Sequence, residues 1–307
     1  MNGYRNLGST MKYLRIIILI TAILGNTGCM ESPAYGKSVE DIFSSKEAQD
    51  LARASCEGDS GELSRLISMG VDVNAVGLHN VTPLIWALTC NGLEFPDIQA
   101  AQWQKSQSRT IKAVDPDFLA GLKVLLAAGA DSNQMIDGDF GPIYPGGEGY
   151  YIDHYTPVLI AAEFHQASVL KLLLQNGGNP NAADGDNEHT ALGVAFNRGY
   201  FLDLSPQMAP FDSRQWENFY LLLDAGADPS IMTINGGNVV VTAAMNRVDV
   251  AHNILKKYKY SGDLEEIARI LINRIEVGFP DHDRRKLLEF LKIKKNVNID
   301  AIWRELR

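Results

Sequence analysis

Six histidines are spread through the chain, and three of them stand at related places. His79, His154 and His189 come one to three residues before the threonines Thr82, Thr156 and Thr190, with Asp153, Asp184, Asp186 and Glu188 close by. Imidazoles and carboxylates in company can hold a zinc ion, so a metal-dependent hydrolase is the chemistry these residues would serve. Zinc needs its ligands to converge. Equivalent positions on stacked helical units stay about a helix diameter apart, so the reading assigns no metal, cofactor or catalytic residue. Asp184-Gly185-Asp186-Asn187-Glu188 has some of the acid spacing of a calcium loop but lacks its later glutamate and its glycine position, which leaves a polar hairpin turn. Phosphate loops, dinucleotide glycine motifs, nucleophile elbows and zinc-protease pairs are absent.

Three cysteines carry the remaining chemistry. Cys29 follows a short basic segment, Met11 to Arg15, an apolar run from Ile16 to Leu24, and small polar residues through Gly28. That order is a secretory signal peptide over residues 1–28, too short to span a bilayer as a mature helix. Met11 is an alternative start. Cysteine directly after glycine resembles a bacterial lipoprotein cleavage site, which implies a diacylglycerol on the Cys29 thiol; Asn26 departs from the apolar residue usual there. Cleavage without lipid and retention as an uncleaved anchor are the alternatives. Losing Arg5, Lys12 and Arg15 takes the formal charge from −9 to −12. Cys56 and Cys90 fall near equivalent places on neighbouring helical units, whose axes lie roughly 8–10 Å apart, so two small buried thiols are expected rather than a bridge.

The elements that hold these residues repeat. Gly129-Ala130-Asp131-Ser132-Asn133 recurs at Gly226-Ala227-Asp228-Pro229-Ser230, with degenerate copies at Gly70 to Asn74 and Gly177 to Asn181. Each copy follows an apolar helical run. Thr82-Pro83-Leu84, Thr156-Pro157-Val158 and Thr190-Ala191-Leu192 open another helix: threonine caps it and proline fits its first turn. Ala87, Ala161-Ala162, Ala195 and Ala243-Ala244 let neighbouring helices approach. The glycine takes the left-handed conformation that ends the second helix.

These markers together resemble the ankyrin repeat, well over about residues 45–260 and weakly beyond. The resemblance implies an all-α ankyrin-repeat solenoid of about five to six helix-pair repeats with short β-hairpin connections. Residues 29–44 read as a linker, and 261–307 as a degenerate repeat with a polar helical cap. Gly70, Gly129, Gly177 and Gly226 are 59, 48 and 49 residues apart. A 33-residue period therefore leaves three insertions, near 93–117, 134–153 and 200–215. Trp86, Trp216 and Trp303 read as core or cap; Trp103 lies in an insertion and is the tryptophan most open to binding.

Ankyrin arrays bind other proteins through hairpin tips and the exposed side of the first helix. Carried onto this sequence, that implies Thr89 and Cys90, Glu163 and Phe164, Asn197 and Arg198, and Met245 and Asn246. Tyr144, Tyr150 and Tyr151 join them from the glycine-rich second insertion. A net charge of −9 with no basic stripe excludes nucleic acid and suits a basic protein partner. The expectation is a non-enzymatic protein-binding module, monomeric before it meets its partner. It is exported to the periplasm and touches the membrane only through the lipid. Its role is that of an immunity protein neutralising a toxin, or alternatively of an accessory factor protecting a periplasmic enzyme, for example in oxidative stress defence.

Overall fold

A computed structural model describes residues 31–32, 37–90, 114–138, 154–164, 167–185, 189–196, 216–232, 237–279 and 282–306. Two short antiparallel strands, β1 (Glu31–Ser32) and β2 (Lys37–Ser38), lead into a single turn of helix, α1 (Val39–Ile42). The rest of the described residues form helices in pairs. The pairs are α2 (Lys46–Glu57) with α3 (Ser60–Ser68), α4 (Pro83–Cys90) with α5 (Pro116–Ala127), α6 (Pro157–Phe164) with α7 (Ala167–Gln175), and α8 (191–196) with α9 (Glu217–Asp224). They continue as α10 (Val239–Asn246) with α11 (Val248–Lys257) and α12 (Leu264–Glu276) with α13 (His282–Lys295), ending in α14 (Ile299–Glu305). Among the described residues, no helix is long and apolar enough to cross a membrane.

The pairs stack in two layers. First helices pack on first helices, α2 on α4, α4 on α6 and α10 on α12. Second helices follow suit, α3 on α5, α5 on α7, α7 on α9 and α11 on α13. The first-helix layer is the drier one. All eight residues of α4 are buried, because the helix is flanked on several sides by α2, α5, α6 and β1. A helix apolar all round is stable only where every face is covered.

Local chemistry sets the ends of these helices. Thr82, Thr156 and Thr190 accept hydrogen bonds at their Oγ1 from the amides of Ile85, Leu159 and Gly193. Gly70, Gly129, Gly177 and Gly226 have φ between 86° and 94°, where an L side chain is strained. Gly58 and Gly121 serve closeness as well. A Cβ on Gly58 would sit 2.6 Å from the Asp117 backbone, so the end of α2 meets α5 backbone to backbone.

Consecutive units are joined by a side-chain ladder. Asn74 Nδ2 donates to Gly129 O (2.9 Å), and its Oδ1 accepts from Asp131 N (2.8 Å). Asn133 makes the same two bonds to Gly177 O (3.0 Å) and Asn179 N (2.8 Å). Asn181 accepts from Asp228 N (2.7 Å). At the next rung Ser230 stands where asparagine would, and its hydroxyl accepts one bond, from Ser261 N (2.8 Å).

One expectation changes. Cys56 and Cys90 form a disulfide, their Cα atoms 5.9 Å apart. Axis spacing was the wrong measure: residues on the facing sides of two helices come closer than the axes do, and α2 and α4 are among the most closely packed elements. The packed fold also reaches into 37–44. Val39, Ile42 and Phe43 are buried, and Phe43 meets Trp86 edge to face at 6.3 Å, closing the open end of the first pair. In addition, Pro116 and Asp117 belong to α5, and Gln134 to Asp137 belong to the hairpin scaffold, where Ile136 N donates to Tyr155 O.

Candidate partner-binding edge

The hairpins between pairs line one edge of the stack. His79 starts it. Asp137 N donates to His79 O (2.9 Å), and His79 Nδ1 faces Asp137 O at 2.8 Å, a carbonyl, so that nitrogen carries the proton. His79, Asn80 and His154 all hold φ near 60°, a conformation costing side-chain-bearing residues on the order of 1–3 kcal/mol. The rings then lie over glycines of the next hairpin. A Cβ on Gly138 would be 2.8 Å from His79 Nδ1, and one on Gly185 would be 2.8 Å from His154 Cγ. His154 Nε2 is 4.0 Å from the Asp137 carboxylate.

At the third hairpin the pairing is tighter. Asp184 Oδ2 accepts from His189 Nδ1 (2.8 Å) and from His189 N (3.2 Å). The carboxylate is 10% exposed and the ring 42%. The pairing fixes Nδ1 as the protonated nitrogen of the neutral ring and leaves Nε2 as an acceptor toward solvent. Asp184 Oδ1 is buried with no donor among the described residues. The histidines are thus strung along an edge, each engaged with the hairpin beside it. Among the described residues no three metal-ligating side chains converge.

Residues 153–185 match the family model of the ankyrin repeat. This single unit runs from the hairpin before Thr156 through α6, α7 and the Gly177 to Asn181 loop to Gly185. Its threonine cap, left-handed glycine and asparagine rung recur in neighbouring units of the stack. No curated protein matches the chain.

Large apolar side chains are exposed at both ends of the hairpin edge: Val76 (61%) and Leu78 (45%) before His79, and Met232 (48%) at the fourth hairpin. Ankyrin repeats are protein-interaction modules as a class, and apolar residues left out of a packed scaffold mark contact surfaces. Sequence reasoning passed over these three because each sits singly in a polar loop.

The positions inferred at the C-terminal ends of the first helices fare unequally. Thr89 is fully buried, its hydroxyl donating to Ile85 O and Trp86 O, and Cys90 is taken by the disulfide, so neither is exposed as expected. Glu163 is half-buried, and Phe164 is the last residue of α6. Met245 is half-buried against the core, and its carbonyl accepts from Arg284 Nη2 of the next pair (3.3 Å), while Asn246 is exposed. Cys29, Trp103, Tyr144, Tyr150, Tyr151, Asn197 and Arg198 lie outside the described residues.

A cleft on the second-helix layer has no local signature in the chain. Tyr220, Asp224, Asn253, Lys257 and Tyr258 line it between α9 and α11. Tyr258 Oη donates to Asp224 Oδ1 (2.7 Å), and Asn253 Nδ2 donates to Tyr220 Oη (3.1 Å). Burial first, then the hydrogen bond to Asp224, pushes the Tyr258 phenol up to about 12.

Proposed function

We propose that the protein is a non-enzymatic protein-binding module of the periplasm, held at the membrane by lipid on Cys29, and that it acts as an immunity protein for a basic toxin. The observation that carries the binding role is the hairpin edge, with Val76, Leu78 and Met232 exposed on loops that the asparagine ladder ties together. The Cys56–Cys90 disulfide supports export, since such bonds persist in oxidising compartments. The formal charge of −9, or −12 after removal of residues 1–28, favours a basic partner through steering. The contact surface extends from the hairpin edge to the first-helix ends at Glu163, Phe164, Asn197, Arg198 and Asn246. The tyrosines Tyr144, Tyr150 and Tyr151 complete it, while Met245 contributes less because it is half-buried.

The test uses the mature chain and the purified product of the adjacent reading frame. A stoichiometric complex that abolishes a toxic activity supports immunity. A complex that leaves activity intact and lengthens its lifetime shifts the role to an accessory factor, and no complex overturns both. Within a complex, Phe164→Ala should weaken binding by about 1–3 kcal/mol if Phe164 is an anchor, with the thermal melt unchanged. A sharp drop in melting temperature with full affinity would make Phe164 a core residue. Mass spectrometry of the mature N-terminus checks export: a chain starting at Met1 or Met11 in the soluble cytoplasmic fraction ends that part of the proposal.

A further inference from the structure

Between α9 and α11 the second-helix layer opens. Below the buried apolar faces that α9 and α11 give to the core, their outer sides flank an open cleft of about 520 Å³. Two polar bonds cross it. The Tyr258–Asp224 bond spans the C-terminal ends of the two helices, and the Asn253–Tyr220 bond crosses nearer their middle. We propose that this cleft is a binding site separate from the hairpin edge, built for a neutral polyhydroxylated ligand such as a saccharide unit.

The hydrogen-bond inventory selects that class. Tyr258 has spent its proton on Asp224 and keeps a lone pair. Tyr220 accepts from Asn253 and keeps its proton, while Asn253 keeps one N–H and its Oδ1. Asp224 Oδ2 is an open acceptor, and Lys257 brings three N–H donors with no carboxylate within ion-pair distance among the described residues. Donors and acceptors therefore share one opening. A hydroxyl is the group that satisfies both at once, and a ring of hydroxyls meets several together. The two charges on the lining, Asp224 and Lys257, are opposite, so no net charge is asked of the ligand. Two phenol rings supply the apolar wall against which the C–H face of a sugar ring rests. The volume is within the range of small-ligand clefts. The raised Tyr258 phenol stays protonated across ordinary pH, which keeps this pattern constant.

The test is a titration of the full mature chain with a panel of glucose, galactose, N-acetylglucosamine and their β1,4-linked disaccharides. Acetyl-trialanine amide serves as a neutral amide control. Binding is read from the backbone amide resonances of Tyr220, Asp224, Asn253, Lys257 and Tyr258. At least one sugar should shift these five saturably. Lys257→Ala and Tyr220→Phe should each weaken that binding about 10-fold, the worth of one lost hydrogen bond. Lys257 is exposed, so Lys257→Ala should melt like the wild type, while Tyr220→Phe keeps the ring but loses the bond from Asn253 and should melt slightly lower. The proposal is overturned if no sugar moves these resonances, if only the tripeptide does, or if both variants bind the sugar as tightly as the wild type.

Discussion

Asp184 carries more consequence than any other side chain on the hairpin edge. Its carboxylate is nearly buried, one oxygen is without a donor among the described residues, and the other depends on His189 for two hydrogen bonds. His189→Ala keeps the backbone donor but removes the ring, so it should destabilise the fold by about 1–2 kcal/mol, the cost of under-satisfying a buried polar group. Asp184→Asn keeps the shape and removes the charge, and should cost less. Urea denaturation of both variants checks the order; a His189→Ala change within ~0.5 kcal/mol of wild type would show that the pair contributes nothing. Tyr258 supplies a second measurement. Its phenol is raised from 10.0 to about 12, and the sign follows: the unfolded chain ionises near pH 10 while the folded chain holds the proton. The contribution is complete below pH 10 and is lost as pH rises to about 12. Alkaline absorbance titration should find Tyr258 ionising late, with Tyr260 also raised by burial, and Asp224→Asn should bring Tyr258 back toward the others. Neither Tyr258 nor Tyr220 advertises itself in sequence, because their role comes from a gap between helices far apart in the chain. The Asp184–His189 pair was visible as proximity only; that it forms a dyad depends on a turn bringing the two ring and carboxylate atoms face to face.

At the scale of elements, what was legible is what local geometry dictates. Threonine before proline marks a helix start and glycine in Gly-Ala-Asp marks an end, since both requirements belong to a few consecutive dihedrals. The N-terminal closure by Val39, Ile42 and Phe43 has no such local signature. It is decided by Trp86 and the open end of the first pair, which no short window displays. The asparagine rungs are the element-scale device with the clearest consequence. Asn133→Ala removes two inter-unit bonds and should cost about 1–3 kcal/mol at roughly 1 kcal/mol per bond. Ser230→Ala removes one bond and should cost about half as much. Denaturant midpoints at unchanged slope separate the two, and equal losses would mean that the ladder is satisfied as well by water as by the side chains.

For the whole molecule, a stack is as strong as its weakest junction, because each unit touches only its neighbours. The N-terminal junctions combine buried first helices, directly packed second helices, two-bond asparagine rungs and the Cys56–Cys90 bridge. Closing a span of 34 residues, that bridge restricts the unfolded chain by about 4 kcal/mol on the chain-entropy account. The junction between the α8–α9 and α10–α11 pairs keeps the buried first helices but has neither the bridge nor a two-bond rung. Its second helices flank an open polar cleft, and its rung is a single serine bond. The last two pairs and α14 should therefore open together, ahead of the rest. In amide hydrogen exchange of the intact oxidised protein, buried amides of α12, such as Leu271 and Ile272, should exchange at least ~10-fold faster than those of α4 such as Trp86 and Ala87, a gap of about 1.4 kcal/mol or more. Reducing the disulfide should narrow the gap by speeding α4 and leave α12 unchanged. Equal protection of α4 and α12 in the oxidised protein would mean that the cleft does not weaken the stack. The continuous first-helix core would then carry cooperativity across the junction without help from the second layer.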